Sequence, residues 1–261
     1  MKLKKILGID VGGSGIKGAI VHTKKGKFIT ERYRIPTPEH AKPQDVAIVI
    51  KKIAEHFKWK GSIGCGFPAV VQNGIARTAS NIDDSFIDTD VNSLFTAITK
   101  CPTFAVNDAD AAGLAEMKFG AGKGKKGVIV LVTVGTGIGT VVFTRKKLLP
   151  NTELGHVYMS NCLEAEAYTS DAIRKLEDLS WDDWSTRFND YLKYLEGLLW
   201  PDLIIVGGGV SKKEKKYQEN ITIKTRIVPA QLLNNAGIIG AALFAKQSIK
   251  TLLKEKDTAI S

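Results

Sequence analysis

The chain has 261 residues, 44% hydrophobic and 25% charged, with 25 Gly and 8 Pro, a composition that excludes a disordered tail, a collagen-like repeat or a linker. Lys and Arg number 37 against 27 Asp and Glu, a net charge of +10, which favours anionic partners. The length allows one large core or two modest ones, and the longest apolar stretch, Val128 to Val134, is far too short to span a bilayer.

Ile6 to Val11 is a nearly continuous apolar run, Ile16 to Val21 is rich in β-branched residues, and Phe28 to Ile35 follows the turn Lys24-Lys25-Gly26-Lys27. These predict an opening meander of three strands. Pro43 starts a helical pattern with Val46, Ile50, Ile53, Ala54 and Phe57 on one face, and Ser62 to Phe67 reads as a buried strand. An irregular stretch, Asn73 to Asp90, leads to a short helix at Val91 to Thr99, a strand at Thr103 to Val106 and a helix at Ala109 to Phe119. Gly120 to Gly127, which alternates Gly and Lys, reads as a linker. Val128 to Thr133 and Ile138 to Phe143 are paired strands about a Gly turn. A helix at about 164 to 198, strands at Leu203 to Val206 and Ile221 to Val228, and a last helix at Ala236 to Leu253 complete an α/β pattern.

Short Lys runs occur at Lys24-Lys25, at Lys123, Lys125 and Lys126, at Lys146-Lys147 and from Lys212 to Lys216. They suit either a solvated surface or a polyanion track, and none has the interleaved aromatics that single-strand nucleic-acid grooves use. Cys65, Cys101 and Cys162 lie tens of residues apart without a CxxC pair, which argues against a disulfide framework and for a reducing compartment. The basic start, Met1 to Lys5, imitates a signal peptide, yet its apolar run meets Asp10 after a few residues. A cytoplasmic protein is expected.

Gly13-Ser14-Gly15-Ile16-Lys17-Gly18 satisfies GxGxxG after a strand, with Glu31 downstream. A dinucleotide fingerprint needs a helix at that point, whereas Ile16 to Thr23 is too short and too β-branched for one, so the segment predicts a hairpin. Gly135-Thr136-Gly137-Ile138 repeats the same small-residue turn in the second half, and Gly207-Gly208-Gly209 follows the strand Leu203 to Val206. Backbone N–H groups at such turns converge on anions, and Ser14, Thr136 or Lys17 add donors. Together the three clusters suit a phosphate chain.

Asp10 immediately precedes the first glycines, a place suited to holding Mg²⁺, directly or through water, against phosphate. Asn107-Asp108-Ala109-Asp110 precedes a helix, and two acids with an amide exceed what a cap needs. Glu153 and His156 stand three residues apart beside Gly155, with Glu166 ten residues on, a donor and acceptor set for vicinal hydroxyls.

In order, Leu7 to Gly18, Asn107 to Ala112, Gly135 to Gly139, Leu149 to His156 and Ile205 to Ser211 resemble the motifs of the ROK sugar kinases, within the actin/hexokinase-like superfamily, and most closely its polyphosphate glucokinases. The resemblance implies two ribonuclease-H-like domains around a central cleft, one formed by residues 1–108 with a returning helix at about 236–261, the other by 109–235. It implies Asp108 as the catalytic base toward a sugar 6-hydroxyl. Asn107, Glu153, His156 and Glu166 match hexose-binding positions, with Asn81 and the turn Gly66-Phe67-Pro68-Ala69 as weaker candidates. Asp10 with Mg²⁺, the stretch Gly12, Gly13, Ser14, Gly15 and Lys17, the turn Gly135, Thr136, Gly137 and Gly139, and Gly208 match the donor-phosphate site.

Most ROK kinases carry a Cys/His zinc cluster after the Glu-x-Gly-His motif. Here the interval to Glu166 holds only Cys162, and no zinc is expected, as in the polyphosphate subgroup. The expected reaction is transfer of a terminal phosphoryl group from inorganic polyphosphate to glucose, with ATP left open as a second donor because the same glycines could take it. A strictly ATP-dependent glucose or mannose kinase is the alternative. A sugar-responsive repressor or sensor is the other-class reading; such repressors carry an N-terminal helix-turn-helix, whereas the first strand here starts by about residue 5. The resemblance also implies a homodimer, with no nucleic acid or membrane partner.

Overall fold

Ile6, Leu7, Ile9 and Val11 are buried almost completely, which makes the first apolar run a central strand covered on both faces. A computed structural model describes residues 3–79, 82–160 and 162–260, in two units, Met1–Ala115 with Asn235–Ser261, and Glu116–Asn234. The division falls inside a helix, at Ala115 and Glu116, rather than before it at residue 108.

In the first unit β1 (Lys5–Gly12), β2 (Gly15–His22), β3 (Lys27–Phe28) and β4 (Tyr33–Ile35) precede α1 (Pro43–His56), and β5 (Ile63–Phe67) follows. A hairpin, β6 (Val71–Gln72) with β7 (Ile75–Ala76), runs into the start of the stretch read as irregular; α2 (Val91–Thr99), β8 (Thr103–Asn107) and α3 (Asp108–Phe119) come next. The sheet order is β3-β2-β1-β5-β8, with β4 also on β2. β1 is antiparallel to β2 and parallel to β5, which is parallel to β8. The predicted strand Phe28 to Ile35 is therefore two pieces. Between them the Thr30 hydroxyl takes the Ile20 N–H at 3.1 Å, a side chain standing in for a ladder bond.

One face of this sheet presents Leu7, Ile9, Ile63 and Cys65 to Val46, Ile50 and Ile53 of α1 and Phe95 of α2. The opposite face is lined by glycines. A Cβ on Gly8 would lie 2.1 Å from the Ile238 carbonyl oxygen, and one on Gly64 would lie 1.9 Å from that of Ala241. Both partners belong to α7 (Ala236–Ile260), which lies backbone against sheet and extends beyond the predicted Leu253. Gly240 of α7 would meet the Ala111 carbonyl oxygen of α3 at 1.6 Å.

The second unit holds β9 (Val128–Val134), β10 (Ile138–Thr144), β11 (Lys147–Leu149), α4 (Ala165–Thr169), α5 (Asp171–Leu176), α6 (Trp181–Leu199), β12 (Leu203–Gly208) and β13 (Ile227–Pro229). The sheet order is β11-β10-β9-β12-β13. Its core packs Trp184, Phe188, Tyr191, Leu192 and Leu195 of α6 on Val130, Val132, Ile204 and Val206.

The long helix expected at 164 to 198 is three helices. Ser170 and Ser180 each start a new one by accepting an N–H on the side-chain oxygen, from Ile173 and Asp183. The strand expected at Ile221 to Val228 shrinks to β13 because α6 takes its backbone donors. Thr222 N–H goes to Asn189 Oδ1 at 2.8 Å and Thr225 N–H to Glu196 Oε1 at 2.6 Å. Among the described residues no helix is long and apolar enough to cross a membrane.

The packing of α7 predicts contrasting glycine substitutions. Gly240→Ala should cost about 3 kcal/mol through the collision with α3. Gly197→Ala, on the exposed side of α6 with nothing within 4 Å of its Cβ position, should stabilise by about 0.5–1 kcal/mol. Urea unfolding of the two variants checks both signs.

Candidate active site

Three parallel strands of the first unit bring their C-terminal ends together, the edge where α/β proteins place ligands. Asp10 pairs in register with Gly66, Gly66 with Val106, and Phe67 with Asn107. Asp10, the turn Gly66–Ala69, Asn107 and Asp108 are thus gathered by strand pairing alone.

Asn107 is buried, donates from Nδ2 to the Ala69 carbonyl at 3.1 Å and accepts the Asp110 N–H on Oδ1 at 3.0 Å. It ties the 66–69 turn to the start of α3, with one amide proton left for a ligand. Asp108 is the first residue of α3, half-buried, with Oδ1 accepting the Ala109 N–H at 2.8 Å. A helix N-terminus favours a carboxylate. Asn81 lies outside the described residues.

Asp10 is half-buried on β1, opposite Lys17 on β2, which in turn faces Arg34 on β4. Gly237, in the first turn of α7, leaves room for its carboxylate: a Cβ there would lie 2.9 Å from Asp10 Oδ1. Burial raises the Asp10 pKa, and the positive charges of Lys17 and Arg32 pull it back only in part. A group of this kind gains from a cation brought by a ligand.

The first glycine turn is held from behind. Thr37 Oγ1 donates to the Gly12 carbonyl and Arg34 Nη2 to that of Ser14. The Arg34 guanidinium fills the space a Gly15 side chain would take. Gly13 and Ser14 remain exposed.

In the second unit β9 and β12 run parallel and end side by side, with Val134 opposite Gly208. The second and third glycine clusters therefore meet. Gly208 has φ +77°, and a Cβ there would sit 2.1 Å from the Val134 carbonyl oxygen, so only glycine fits. The turn is closed by Gly135 N–H to the Gly137 carbonyl at 2.9 Å. Thr136 is exposed at its tip, and Gly139 already belongs to β10.

Glu166 of α4 reaches this turn, its Oε2 accepting the Ile138 N–H at 2.7 Å. It also acts electrostatically on Glu153 and His156, so these three predicted residues form one cluster. A fourth member, Glu164, was not predicted. Its Oε2 lies 2.8 Å from His156 Nδ1, while Glu153 Oε2 lies 3.8 Å from Nε2.

The hydrogen bond to Glu164 is the largest cause of a raised His156 pKa, reinforced by the charges of Glu166, Glu164 and Glu153. Burial raises the Glu153 pKa, with Glu166 adding to it and His156 opposing. An imidazole ring among carboxylates offers both a donor and acceptors to a polyhydroxylated ligand. The sequence signal for Glu164 is only its place two residues before Glu166. Arg34, Thr37 and Gly237 carry no motif at all.

A family model described as "ROK family" matches residues 6–171. The chain belongs to the ROK family. It is 43% identical to a polyphosphate glucokinase of Mycobacterium tuberculosis over 237 residues, covering 90% of this chain and 89% of that one. The crystal structure of an inorganic polyphosphate/ATP-glucomannokinase from Arthrobacter sp. strain KM matches with TM-score 0.88 and 43% identity, over 94% of this chain and 99% of that one. A ROK family glucokinase from Streptomyces griseus, in complex with glucose and AMPPNP, shares the fold at TM-score 0.79 and 21% identity, over 93% of this chain and 99% of that one. The α/β architecture is thus the actin/hexokinase-like one of ROK sugar kinases.

The His156 environment of this ROK protein predicts its titration. Raised above the ordinary value of about 6.5, His156 contributes stability that is fully present below that pH and is lost as pH rises through its folded value. NMR titration should find it above the ordinary histidine value, and Glu164→Gln should bring it down. A His156 value unchanged in that variant would contradict the assignment.

Proposed function

We propose that this ROK protein is a polyphosphate-dependent glucokinase that also accepts ATP. The observation that carries this reading is the 43% identity to polyphosphate glucokinases across nine-tenths of both chains. The kinship with a polyphosphate/ATP-glucomannokinase at the same identity supports ATP as a second donor and mannose as a second acceptor.

Glucose hydroxyls are received by Glu153, His156 and Glu166, with Asn107 and Asn81 as further contacts. Asp108 holds the 6-hydroxyl in line and takes its proton late, because a carboxylate is too weak a base to ionise an alcohol beforehand. The sugar oxygen forms a bond to the terminal phosphorus, the terminal phosphoanhydride bond breaks, and the shortened chain leaves. Such a transfer passes through a loose transition state, so positioning and charge neutralisation carry the catalysis. The exposed tips of the two turns, Gly13, Ser14 and Thr136, together with Gly208 and Lys17, supply donors to the phosphates.

Kinases of this family imply a divalent cation. Among the described residues no group of three or more His, Cys, Asp or Glu could hold a metal, which fits an ion that arrives with the phosphates rather than one in a protein cage. Mg²⁺ is of that type, binding through one or two carboxylates plus phosphate oxygens and waters. Asp10 is the residue that would hold it, and when bound it neutralises charge on the donor. The three cysteines are free, which supports action in the reducing cytoplasm. Assembly as a homodimer is part of the proposal and rests on the family resemblance.

Glucose 6-phosphate formation with Mg²⁺ and either nucleotide-free long-chain polyphosphate or ATP tests the donor. Turnover with polyphosphate is expected, and turnover with ATP alone would overturn that half of the reading. Asp108→Asn should lower turnover by about 10²–10⁴-fold while glucose affinity measured by calorimetry stays near wild type.

A further inference from the structure

The strands of the Glu116–Asn234 unit have two ends. The glycine turns occupy the end where β9 and β12 finish. At the opposite end, where they begin, the linker 120–127 and the β10–β11 hairpin come together through Arg145 N–H to the Gly127 carbonyl at 3.2 Å. Register places Thr144 opposite both Val128 and Lys147.

This junction collects Lys123, Lys125, Lys126, Arg145, Lys146 and Lys147, all exposed. Among the described residues none of the six is in an ion pair. The nearby carboxylates are committed to backbone. Asp202 accepts the Val128 N–H at 2.8 Å, and Glu116 accepts the N–H groups of Ala121 at 2.8 Å and Leu232 at 2.6 Å. Further along the same edge, Arg226 precedes β13 and is also exposed, whereas Lys224 faces Glu196. Neighbouring strands are spaced about 4.8 Å apart, so the positive edge from β11 to β13 spans about 20 Å.

We propose that this strand-entry edge is a second binding site for inorganic polyphosphate, separate from the donor-phosphate turns. The identity of the ligand rests on the reading given under Proposed function; the site itself rests on the convergence of cations. A flexible polyanion with a charge on each phosphate matches an exposed row of lysines. β9 is seven residues long, about 20 Å at strand rise, so a chain of some tens of phosphates reaches from one edge to the other. Holding the body of the chain raises the effective concentration of its ends at the glycine turns.

The edge also bears Trp200, 77% exposed, beside Pro201 and Asp202. An exposed tryptophan among cations suits stacked nucleobases, and Trp200→Ala should then weaken single-stranded RNA by about 1–3 kcal/mol per stacked base. Polyphosphate has no base to stack, so its binding should be indifferent to that change.

The test is fluorescence anisotropy with end-labelled long-chain polyphosphate on the full chain. Lys125, Lys126, Lys146 and Lys147 are replaced together by Ala, and Lys212 and Lys213 by Ala in a second variant; melting curves confirm that both are folded. The first variant should lose about tenfold or more in affinity and show a shallower salt dependence. Its KM for long-chain polyphosphate should rise while kcat and the KM for glucose hold.

Wild-type affinity in the first variant, or a loss confined to the second, overturns the proposal. RNA binding that is tighter than polyphosphate binding and falls with Trp200→Ala reassigns the edge to nucleic acid and also overturns it. Polyphosphate bound at this edge by a protein that phosphorylates glucose from ATP alone would sink the donor reading and leave the site standing.

Discussion

The contact on which the first unit depends is backbone against backbone. Gly8 and Gly64 bring the sheet so close to α7 that a single methyl group at either would overlap a carbonyl oxygen of the helix. This approach brings α7 onto the sheet face at the glycines, with Val106 packing on Ala241 and Phe244 beside them, and fixes where α7 begins. The helix starts beside Asp10, with Gly237 leaving just the space the carboxylate needs. A helix N-terminus is a favourable place for an anion, and burial works against that charge. Asp10 is therefore held in place by packing and left short of positive charge, the condition in which the cation proposed to arrive with the donor would bind with greatest effect.

The second unit solves a different problem. Glu153, Glu164 and Glu166 are three carboxylates in one neighbourhood, and His156 stands among them with its pKa raised, first by the hydrogen bond to Glu164. Glu166 also gives one oxygen to the Ile138 N–H of the glycine turn. The residues proposed for sugar and those proposed for phosphate are thus linked by one side chain. Displacing Glu166 disturbs both at once, so its substitution effects should not be assigned to sugar binding alone.

Much of this was legible in the residues. The apolar runs, the hairpin character of Gly15 to His22 and the pairing of two glycine turns with flanking strands follow from β-branched content and spacing, and the structure has them. Asp10, Glu153 and His156 stand out as acids and a histidine close to glycines, and Asp108 because two acids with an amide exceed what a cap requires. Three features were hidden for a common reason, that they depend on partners distant in sequence. Arg34 supports the first turn from a strand whose register no local pattern gives. Gly237 matters only through Asp10. Residues 221–226 have strand propensity, yet Asn189 and Glu196 of α6 capture their backbone donors. The helix expected across 164 to 198 failed locally instead, because Ser170 and Ser180 act as caps.

That capture by α6 bears on how the protein behaves when crowded. A sheet edge with free donors and acceptors is a template for another chain. In this unit β13 is a three-residue edge ending in Pro229, and the chain leading into it has its N–H groups occupied by helix side chains. The other edge, β11, is equally short and begins at Lys147. Neither margin offers a run long enough to recruit a neighbour, so the five-stranded sheet resists aggregation through geometry as well as through charge.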